Sequence, residues 1–127
     1  MPPTSAPVLV VDDDVDVRDA LRDTLEQEGY SVAEATNGMQ ALEYLHDNPP
    51  PSLVLLDWNM VPMNAPAFME ALAKTDLVGR FPIVLITADV RVVEKAAAAN
   101  FSGYLKKPVS IESLFEVVER YCTQASS

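Results

Sequence analysis

The sequence predicts an α/β domain in which one parallel β-sheet carries helices on both faces. Three short apolar runs, at residues 8–11, 53–56 and 83–86, have the composition of strands that are buried on both sides. Segments with helical periodicity separate such runs, so that strand and helix alternate five times along the chain. Parallel neighbours need crossover connections, and these are right-handed, so the alternation favours a doubly wound sheet.

Three helices are predicted with clear boundaries. One follows the first strand and ends at Gly29, and the next begins after Asn37 and Gly38. The last has the clearest apolar stripe, with Ser110 as its N-cap. The positions that recur at helical spacing are Val17, Ala20, Leu21, Thr24 and Leu25, then Ala41, Leu42 and Leu45, then Ile111, Leu114, Phe115, Val118, Tyr121 and Cys122. Weaker patterns predict strands at residues 31–35 and 103–106, and helices at residues 65–74 and 91–100.

Size and charge restrict the function. The 127 residues fit one domain, which we place at residues 8–124, between a flexible segment at 1–7 and a short tail at 125–127. The net charge of -10 repels phosphate backbones and anionic membranes, so we expect no direct nucleic-acid or membrane partner. The single cysteine excludes an internal disulfide, and no apolar run is long enough to cross a bilayer. We therefore expect a cytoplasmic protein, and we expect it to be a monomer or a weak dimer.

Acidic side chains follow two of the predicted strands at the point where each strand ends. Asp12, Asp13 and Asp14 come directly after the first strand, and Asp57 follows the third. In a parallel sheet these ends meet at one edge, where ligand crevices form. Two carboxylates about 4 Å apart repel each other by about 4 kcal/mol at an effective dielectric constant of about 20, so the cluster needs a cation. Oxygen ligands suit Mg²⁺ better than zinc. Zinc sites use several histidine and cysteine ligands, and the chain has one of each.

Two further strand ends offer groups that suit a phosphoryl group. Thr87 follows the run at 83–86 and supplies a hydroxyl, and Lys107 stands before Pro108 and supplies a positive charge. Together with the acids, these groups provide metal ligands, a carboxylate nucleophile and partners for phosphoryl oxygens. This combination indicates phosphorylation of a carboxylate.

The sequence resembles the receiver domain of two-component response regulators from Val8 to about Tyr121. The segments that carry the resemblance are Val8-Leu9-Val10-Val11-Asp12-Asp13-Asp14, Glu28-Gly29-Tyr30, Ala35-Thr36-Asn37-Gly38, Leu55-Leu56-Asp57, Ile86-Thr87-Ala88 and Gly103-Tyr104-Leu105-Lys106-Lys107-Pro108. The resemblance implies a flavodoxin-like sandwich whose five parallel strands lie in the order 2-1-3-4-5. It also implies a phosphoacceptor domain of a phosphorelay, which assists its own phosphorylation and dephosphorylation but is not an enzyme.

The resemblance implies specific roles for the acids. Asp57 would accept a phosphoryl group from a histidine kinase or a histidine phosphotransfer protein. Asp12, Asp13, Asp57 and the backbone carbonyl of Asn59 would hold Mg²⁺.

The remaining site residues would act as binding groups and as a switch. The resemblance implies that Lys107 pairs with the bound phosphoryl group, that Thr87 and Tyr104 move on phosphorylation, and that the peptide bond between Lys107 and Pro108 is cis. The surface near Tyr104 and the last helix would then bind a downstream partner. Lys106 is expected to be a surface charge.

The loop after the third strand departs from the family pattern. The family has a Met-Pro pair followed by an acidic residue and glycine, whereas here Val61 follows Met60, and residues 64–66 are Asn-Ala-Pro. Because alanine adopts positive φ less readily than glycine, we predict a different turn. The stretch at 87–107 is also slightly short for the family, which predicts only a small movement of the 91–100 helix.

Three other interpretations use the same acids. A phosphatase of the haloacid dehalogenase type would use Asp12 and Asp14, but its later acidic pair is missing after Asp57. An EF-hand is rejected because Val17 stands where its loop needs glycine. A receiver-like interaction module that signals without phosphorylation is the main alternative, and acyl-phosphate chemistry on Asp57 distinguishes the two.

Overall fold

The chain forms the predicted parallel sheet with helices on both faces. The computed structural model describes residues 6–60, 63–77, 79–89, 91 and 101–122. Its elements are β1 (Val8–Val11), α1 (Val15–Gln27), β2 (Val32–Ala35), α2 (Gly38–Asp47), β3 (Leu53–Asp57), α3 (Ala65–Leu72), β4 (Ile83–Thr87), β5 (Gly103–Lys106) and α4 (Ile111–Cys122). Across the sheet the strands lie in the order β2-β1-β3-β4-β5, all parallel. The predicted fold class and strand order are therefore confirmed.

The central strands are buried because their side chains alternate between two apolar layers. Leu9 and Val54 lie in a cluster with side chains of α2 and α3, on one face of the sheet. Val10 and Leu55 lie in a second cluster with side chains of α1 and α4, on the other face. This two-sided burial explains why the strands are continuous apolar runs rather than alternating ones. It also holds the polar residues at their carboxyl ends in fixed positions.

Each helix begins at a polar side chain that accepts a backbone N–H. Asp14, Asn37 and Asn64 do this for α1, α2 and α3, and Ser110 accepts from the first turn of α4. Gly29 has a φ of 92° just after α1, a conformation that glycine adopts without strain. The predicted cap at Ser110 and the predicted helix end near Gly29 are confirmed.

The observed boundaries and burial correct the sequence prediction in detail. β2 begins at residue 32 rather than 31, and α3 ends at residue 72 rather than 74. Ile111 was placed on the apolar stripe of the last helix, but its side chain is 58% exposed. The buried positions of α4 start only at Leu114, so its first turn extends beyond the core. Ala20 is exposed as well, because it lines a groove between α1 and the segment after β5.

Some predicted segments lie outside the described residues. Of the helix predicted at residues 91–100, the structure describes Arg91 alone, and residues 1–5 and 123–127 of the terminal segments are likewise not described. Among the helices that are described, none has the length and apolar character needed to cross a membrane.

The loop after β3 leads directly into a helix cap. Asn64 has an extended backbone, with φ -79° and ψ 177°, and its side chain accepts a hydrogen bond from the N–H of Ala67 at 3.0 Å. Ala65 is the first residue of α3. The glycines with positive φ in the described chain are Gly29 and Gly79, so the described part of this loop, residues 63–66, uses no left-handed glycine. The different turn stays a prediction, since residues 61 and 62 of this loop lie outside the described residues.

Met63 of this loop packs against the first residue of α2. The N–H of Gly38 donates to the carbonyl of Met63 at 3.3 Å. A Cβ placed on Gly38 would lie 2.8 Å from Cγ and 3.1 Å from Cβ of Met63, closer than carbon atoms approach without strain. Glycine is therefore needed at this position for space, not for its backbone conformation.

Replacing Gly38 with alanine should lower the free energy of unfolding by about 1–2 kcal/mol, because overpacking against Met63 costs about 1–3 kcal/mol and helix propensity returns at most about 1 kcal/mol. Urea denaturation measures the change. In a second variant that also carries Met63→Ala, Cγ and Sδ are gone, so the penalty of the alanine at position 38 should shrink. An unchanged or higher midpoint for Gly38→Ala alone would contradict this account of the contact.

Candidate functional site

Four polar side chains meet at the carboxyl edge of the sheet. Asp12 directly follows β1, Asp57 and Thr87 are the last residues of β3 and β4, and Lys107 directly follows β5. The strand order reverses between β1 and β3, which is where doubly wound sheets form their ligand crevice. Asp12, Asp57 and Thr87 are all buried.

The backbone of Asp12 and one of its carboxylate oxygens are held by hydrogen bonds. Its N–H donates to the carbonyl of Ala35 at 3.2 Å, and its Oδ1 accepts from the N–H of Asp14 at 2.9 Å. Its carbonyl oxygen accepts from Nη1 of Arg18 at 2.8 Å. The other carboxylate oxygen, Oδ2, is buried without a hydrogen-bond partner and lies 3.7 Å from Nζ of Lys107. A buried carboxylate oxygen in this condition is costly unless a ligand supplies the missing contact.

Asp57 and Lys107 form the closest ion pair at this edge. Nζ of Lys107 donates to Oδ1 of Asp57 at 2.9 Å, and the Asp57 side chain is only 7% exposed. The same ammonium group faces Asp12, so one positive charge serves two buried carboxylates. The site therefore has an excess of negative charge.

Burial and this excess of charge both shift the pKa values. The pKa of Asp57 is raised to about 6. Burial is the main cause and the charge of Asp12 adds to it, whereas the hydrogen bond from Lys107 opposes the shift. Burial also raises the pKa of Asp12 above its usual value, against the hydrogen bond from Asp14 and the charge of Lys107. For Lys107, burial lowers the pKa, but the hydrogen bond and charge of Asp57 together with Asp12 outweigh it, so the pKa is raised overall.

The three consecutive acids after β1 have different environments. Asp14 caps α1, since its Oδ1 accepts from the N–H groups of Asp16 and Val17 at 3.0 and 3.5 Å. Asp13 is exposed, yet its carboxylate lies within 4.8 Å of those of Asp12 and Asp57. One acid of the triplet is therefore structural, and the other two join Asp57.

The donor set of this cluster fits Mg²⁺. Oxygen atoms of Asp12, Asp13 and Asp57 lie close enough to share one ion, and all are hard ligands of the kind that Mg²⁺ prefers. The buried Oδ2 of Asp12 lacks a hydrogen bond, which a cation would replace. A divalent ion would also offset the repulsion that raises the pKa values of Asp12 and Asp57.

The other predicted site residues are bonded elsewhere or exposed. The hydroxyl of Thr87 accepts from the N–H of Asp89 at 3.1 Å and donates to its carbonyl at 3.4 Å. The side chain of Tyr104 on β5 is 49% exposed, and Asn59 is exposed in the loop after β3. The peptide bond between Lys107 and the following proline is cis. The structure thus brings Asp12, Asp13, Asp57 and Lys107 together and leaves Thr87 bound to its own loop.

Sequence reasoning missed Arg18, which lies one turn into α1 and contacts the backbone of Asp12. Its side chain is 14% exposed. On a helical wheel, Arg18 lies next to the apolar stripe, where polar residues are common. The only available signal was an arginine six residues after Asp12, and that spacing alone does not indicate a contact.

The fold and the acidic crevice place the chain among α/β domains of the doubly wound, flavodoxin-like class, and comparison with known proteins identifies the family. Residues 8–119 match the family described as the response regulator receiver domain. The chain is 32% identical to the chemotaxis protein CheY1 of Helicobacter pylori over 115 residues, which cover 88% of this chain and 93% of that protein. The chain belongs to the response regulator receiver family.

Solved structures of similar proteins have the same fold. The chemotaxis protein CheY4 of Vibrio cholerae matches with a TM-score of 0.84 and 28% identity, covering 93% of this chain and 99% of that one. The response regulator TrrA of Thermotoga maritima, solved in complex with Mg²⁺ and BeF, matches with a TM-score of 0.80 and 27% identity, covering 91% and 98%. Receiver domains are signalling domains that bind Mg²⁺ at an acidic site and accept phosphate from histidine kinases.

We expect Mg²⁺ to stabilise the fold in a pH-dependent way. The folded pKa of Asp57 lies above its usual value of 3.8, so its contribution to the stability of the metal-free protein is fully present below about pH 4 and is lost as pH rises through about 6. Mg²⁺ reverses that loss, and at one hundred times its dissociation constant it adds about 2.7 kcal/mol, or roughly 10 °C in Tm. Protons compete with the ion, so the same Mg²⁺ concentration should raise Tm less at about pH 5 than at about pH 8.

Thermal melts at the two pH values, with and without MgCl₂, measure both effects. The variant Asp57→Asn is the control, because it should melt higher than the parent protein without metal at neutral pH and gain less from Mg²⁺. A Tm that is indifferent to millimolar Mg²⁺ at both pH values would contradict the metal assignment.

Proposed function

We propose that this chain is the phosphoacceptor domain of a phosphorelay, in which Asp57 takes a phosphoryl group from phosphohistidine on a histidine kinase or histidine phosphotransfer protein. The observation that carries the proposal is the pairing of the buried Asp57 carboxylate with Lys107 at 2.9 Å, beside the carboxylates of Asp12 and Asp13. This pairing supports the proposal, because a carboxylate that could act as a nucleophile then lies among groups that suit a metal ion and a phosphoryl group. The cytoplasmic location expected from the sequence belongs to the same proposal, since phosphohistidine donors draw on ATP.

The chemistry needs a carboxylate in its ionised form. With a pKa of about 6, Asp57 is mostly ionised at neutral pH. One of its carboxylate oxygens forms a bond to phosphorus while the N–P bond to the donor imidazole breaks, and the leaving nitrogen keeps the electron pair and takes up a proton. Mg²⁺, held by Asp12, Asp13, Asp57 and the carbonyl of Asn59, would neutralise charge on the phosphoryl oxygens.

Lys107 supplies the second positive charge. In the present arrangement its ammonium group neutralises Asp57, and the acyl phosphate formed by transfer no longer carries that carboxylate charge. The ammonium group is then free to pair with a phosphoryl oxygen at the same strand end. Its pKa, raised by Asp57 and Asp12 against the effect of burial, keeps it protonated before transfer. The domain thus assists its own phosphorylation and later hydrolysis without acting on a separate substrate.

Phosphorylation would reach a partner through Thr87 and Tyr104. The Thr87 hydroxyl is at present bonded to Asp89, and the Tyr104 side chain is half exposed, which is the arrangement expected before phosphorylation. A phosphoryl oxygen would draw the hydroxyl inward and leave room for the tyrosine ring. The surface near Tyr104 and α4 would then bind a downstream protein, with the domain itself a monomer or weak dimer.

We expect the purified protein to gain one phosphoryl group when it is incubated with acetyl phosphate, or with a phosphohistidine donor, and Mg²⁺. Intact-mass spectrometry detects the adduct. Hydroxylamine should remove it, because an acyl phosphate is a mixed anhydride. Asp57→Asn should abolish labelling, whereas the matched control Asp47→Asn, which alters an exposed acid at the end of α2, should leave it unchanged.

Two results would contradict this proposal. Full labelling of the Asp57→Asn variant would show that another residue accepts the phosphoryl group. Absence of labelling in the parent protein, together with binding of a partner that ignores phosphodonors, would favour a receiver-like module that works without phosphorylation.

We expect beryllofluoride, which mimics the phosphoryl group, to shift the Thr87 hydroxyl toward Asp57 and to turn the Tyr104 ring inward. Crystal structures with and without the mimic measure both movements. Thr87→Ala should still bind beryllofluoride but leave Tyr104 exposed, because the hydroxyl that opens the space is gone. Unchanged rotamers of Thr87 and Tyr104 in an unobstructed lattice would refute the switch, and a large shift of residues 91–100 would refute the predicted restraint on that segment.

A further inference from the structure

Arg18 connects α1 and β2 to the residue that follows β1. Its Nη1 donates to the carbonyl of Asp12 at 2.8 Å, and its Nε lies 3.4 Å from Oε1 of Glu34, an ion pair without hydrogen-bond geometry. The side chain is 14% exposed, so the guanidinium is largely withdrawn from water. Arg22 on the same helix contacts the other oxygen of Glu34 at 3.2 Å and otherwise pairs with acids of α1.

The contact with Arg18 completes the immobilisation of Asp12. Its N–H is bonded to Ala35 on β2, its Oδ1 to the N–H of Asp14, and its carbonyl to Arg18. The partners are one acceptor on β2 and two donors at the start of α1, so the peptide groups before and after Asp12 cannot rotate freely. Within the part of the chain that the structure describes, Oδ2 of Asp12 has no hydrogen-bond partner, and it lies at the acidic cluster 3.7 Å from Nζ of Lys107.

We infer that Arg18 is a positioning residue for the metal site, because it holds the backbone of Asp12 so that Oδ2 points at the cluster formed with Asp13 and Asp57. The inference rests on the proposed function, since it takes Asp12 as a ligand of Mg²⁺. Groups that orient a metal ligand commonly change metal affinity by about tenfold to one hundredfold when they are removed.

An effect of charge and an effect of positioning predict opposite changes in Mg²⁺ affinity when Arg18 is removed. A positive charge near the cluster repels Mg²⁺, so its removal should strengthen binding if only Coulomb forces act. Loss of positioning should weaken binding, because Asp12 would sample orientations in which Oδ2 does not face the ion. The direction of the change therefore decides between the two effects.

The test measures Mg²⁺ affinity in the full chain by titration with MgCl₂. Trp58, the only tryptophan, adjoins Asp57 and serves as the fluorescent reporter, and the Mg²⁺-dependent rise in Tm is the second readout. Arg18→Met keeps an extended apolar side chain but removes the donors. Arg22→Met is the matched control, because it removes the same charge from the same helix and also breaks a contact with Glu34. Arg18→Lys keeps the charge but not the forked geometry.

We expect Arg18→Met to weaken Mg²⁺ binding about tenfold or more, Arg18→Lys to fall between it and the parent protein, and Arg22→Met to stay within about twofold of the parent. Binding by Arg18→Met that equals or exceeds that of the parent protein would overturn the inference while leaving the proposed function intact. If Arg18→Met does not fold, Arg18→Lys decides, and unchanged affinity overturns the inference. A parent protein that gives neither readout with Mg²⁺ would instead overturn the metal-dependent function itself.

Discussion

Two buried carboxylates that share one ammonium group are the feature on which the rest of this site depends. Asp12 and Asp57 are 1% and 5% exposed, and Lys107 reaches both, at 3.7 and 2.9 Å. Burial raises the pKa values of both acids, and one positive charge does not balance two negative charges where water screens poorly. A divalent cation bound by these acids would offset that cost, so a site of this kind gains stability when it is occupied.

The fold keeps these charges in place by attaching them to its most rigid parts. Asp57 and Thr87 are the final residues of strands whose side chains are buried on both faces of the sheet, and Asp12 continues the first of these strands. The neighbouring acids have other environments, because Asp14 caps α1 and Asp13 is exposed, although the charge of Asp13 still raises the pKa values of Asp12 and Asp57. Three consecutive residues of the same type thus serve burial, solvation and helix capping. Their identical side chains have different roles because the backbone turns from strand to helix across them.

The parts of the structure that depend on local pattern could be predicted from the sequence. The apolar runs gave the order of strands and helices, and the position of Asp57 and Lys107 at strand ends implied that they would meet. The exposure of Ile111 could not be predicted, because helical periodicity does not say how far a helix extends beyond the core. The contact between Arg18 and the carbonyl of Asp12 also could not be predicted, because it depends on the angle at which α1 leaves the sheet. The contact of Gly38 with Met63 brings together segments that are distant in sequence, so no local sequence pattern predicts it.

The hydrogen bonds of Thr87 limit how strongly phosphorylation can drive a switch. A charge-assisted hydrogen bond contributes about 1.5–3 kcal/mol, whereas an ordinary one contributes about 0.5–1.5 kcal/mol. To donate to a phosphoryl oxygen, the Thr87 hydroxyl must give up the hydrogen bond that it donates to the carbonyl of Asp89 at 3.4 Å. The gain that separates the two states is therefore the difference between a new strong bond and an existing weaker one, not the full value of the new bond. A difference of about 1–2 kcal/mol changes an equilibrium by roughly fivefold to thirtyfold. Such a shift would redirect the population only if the inward and outward positions of Tyr104 are close in energy beforehand.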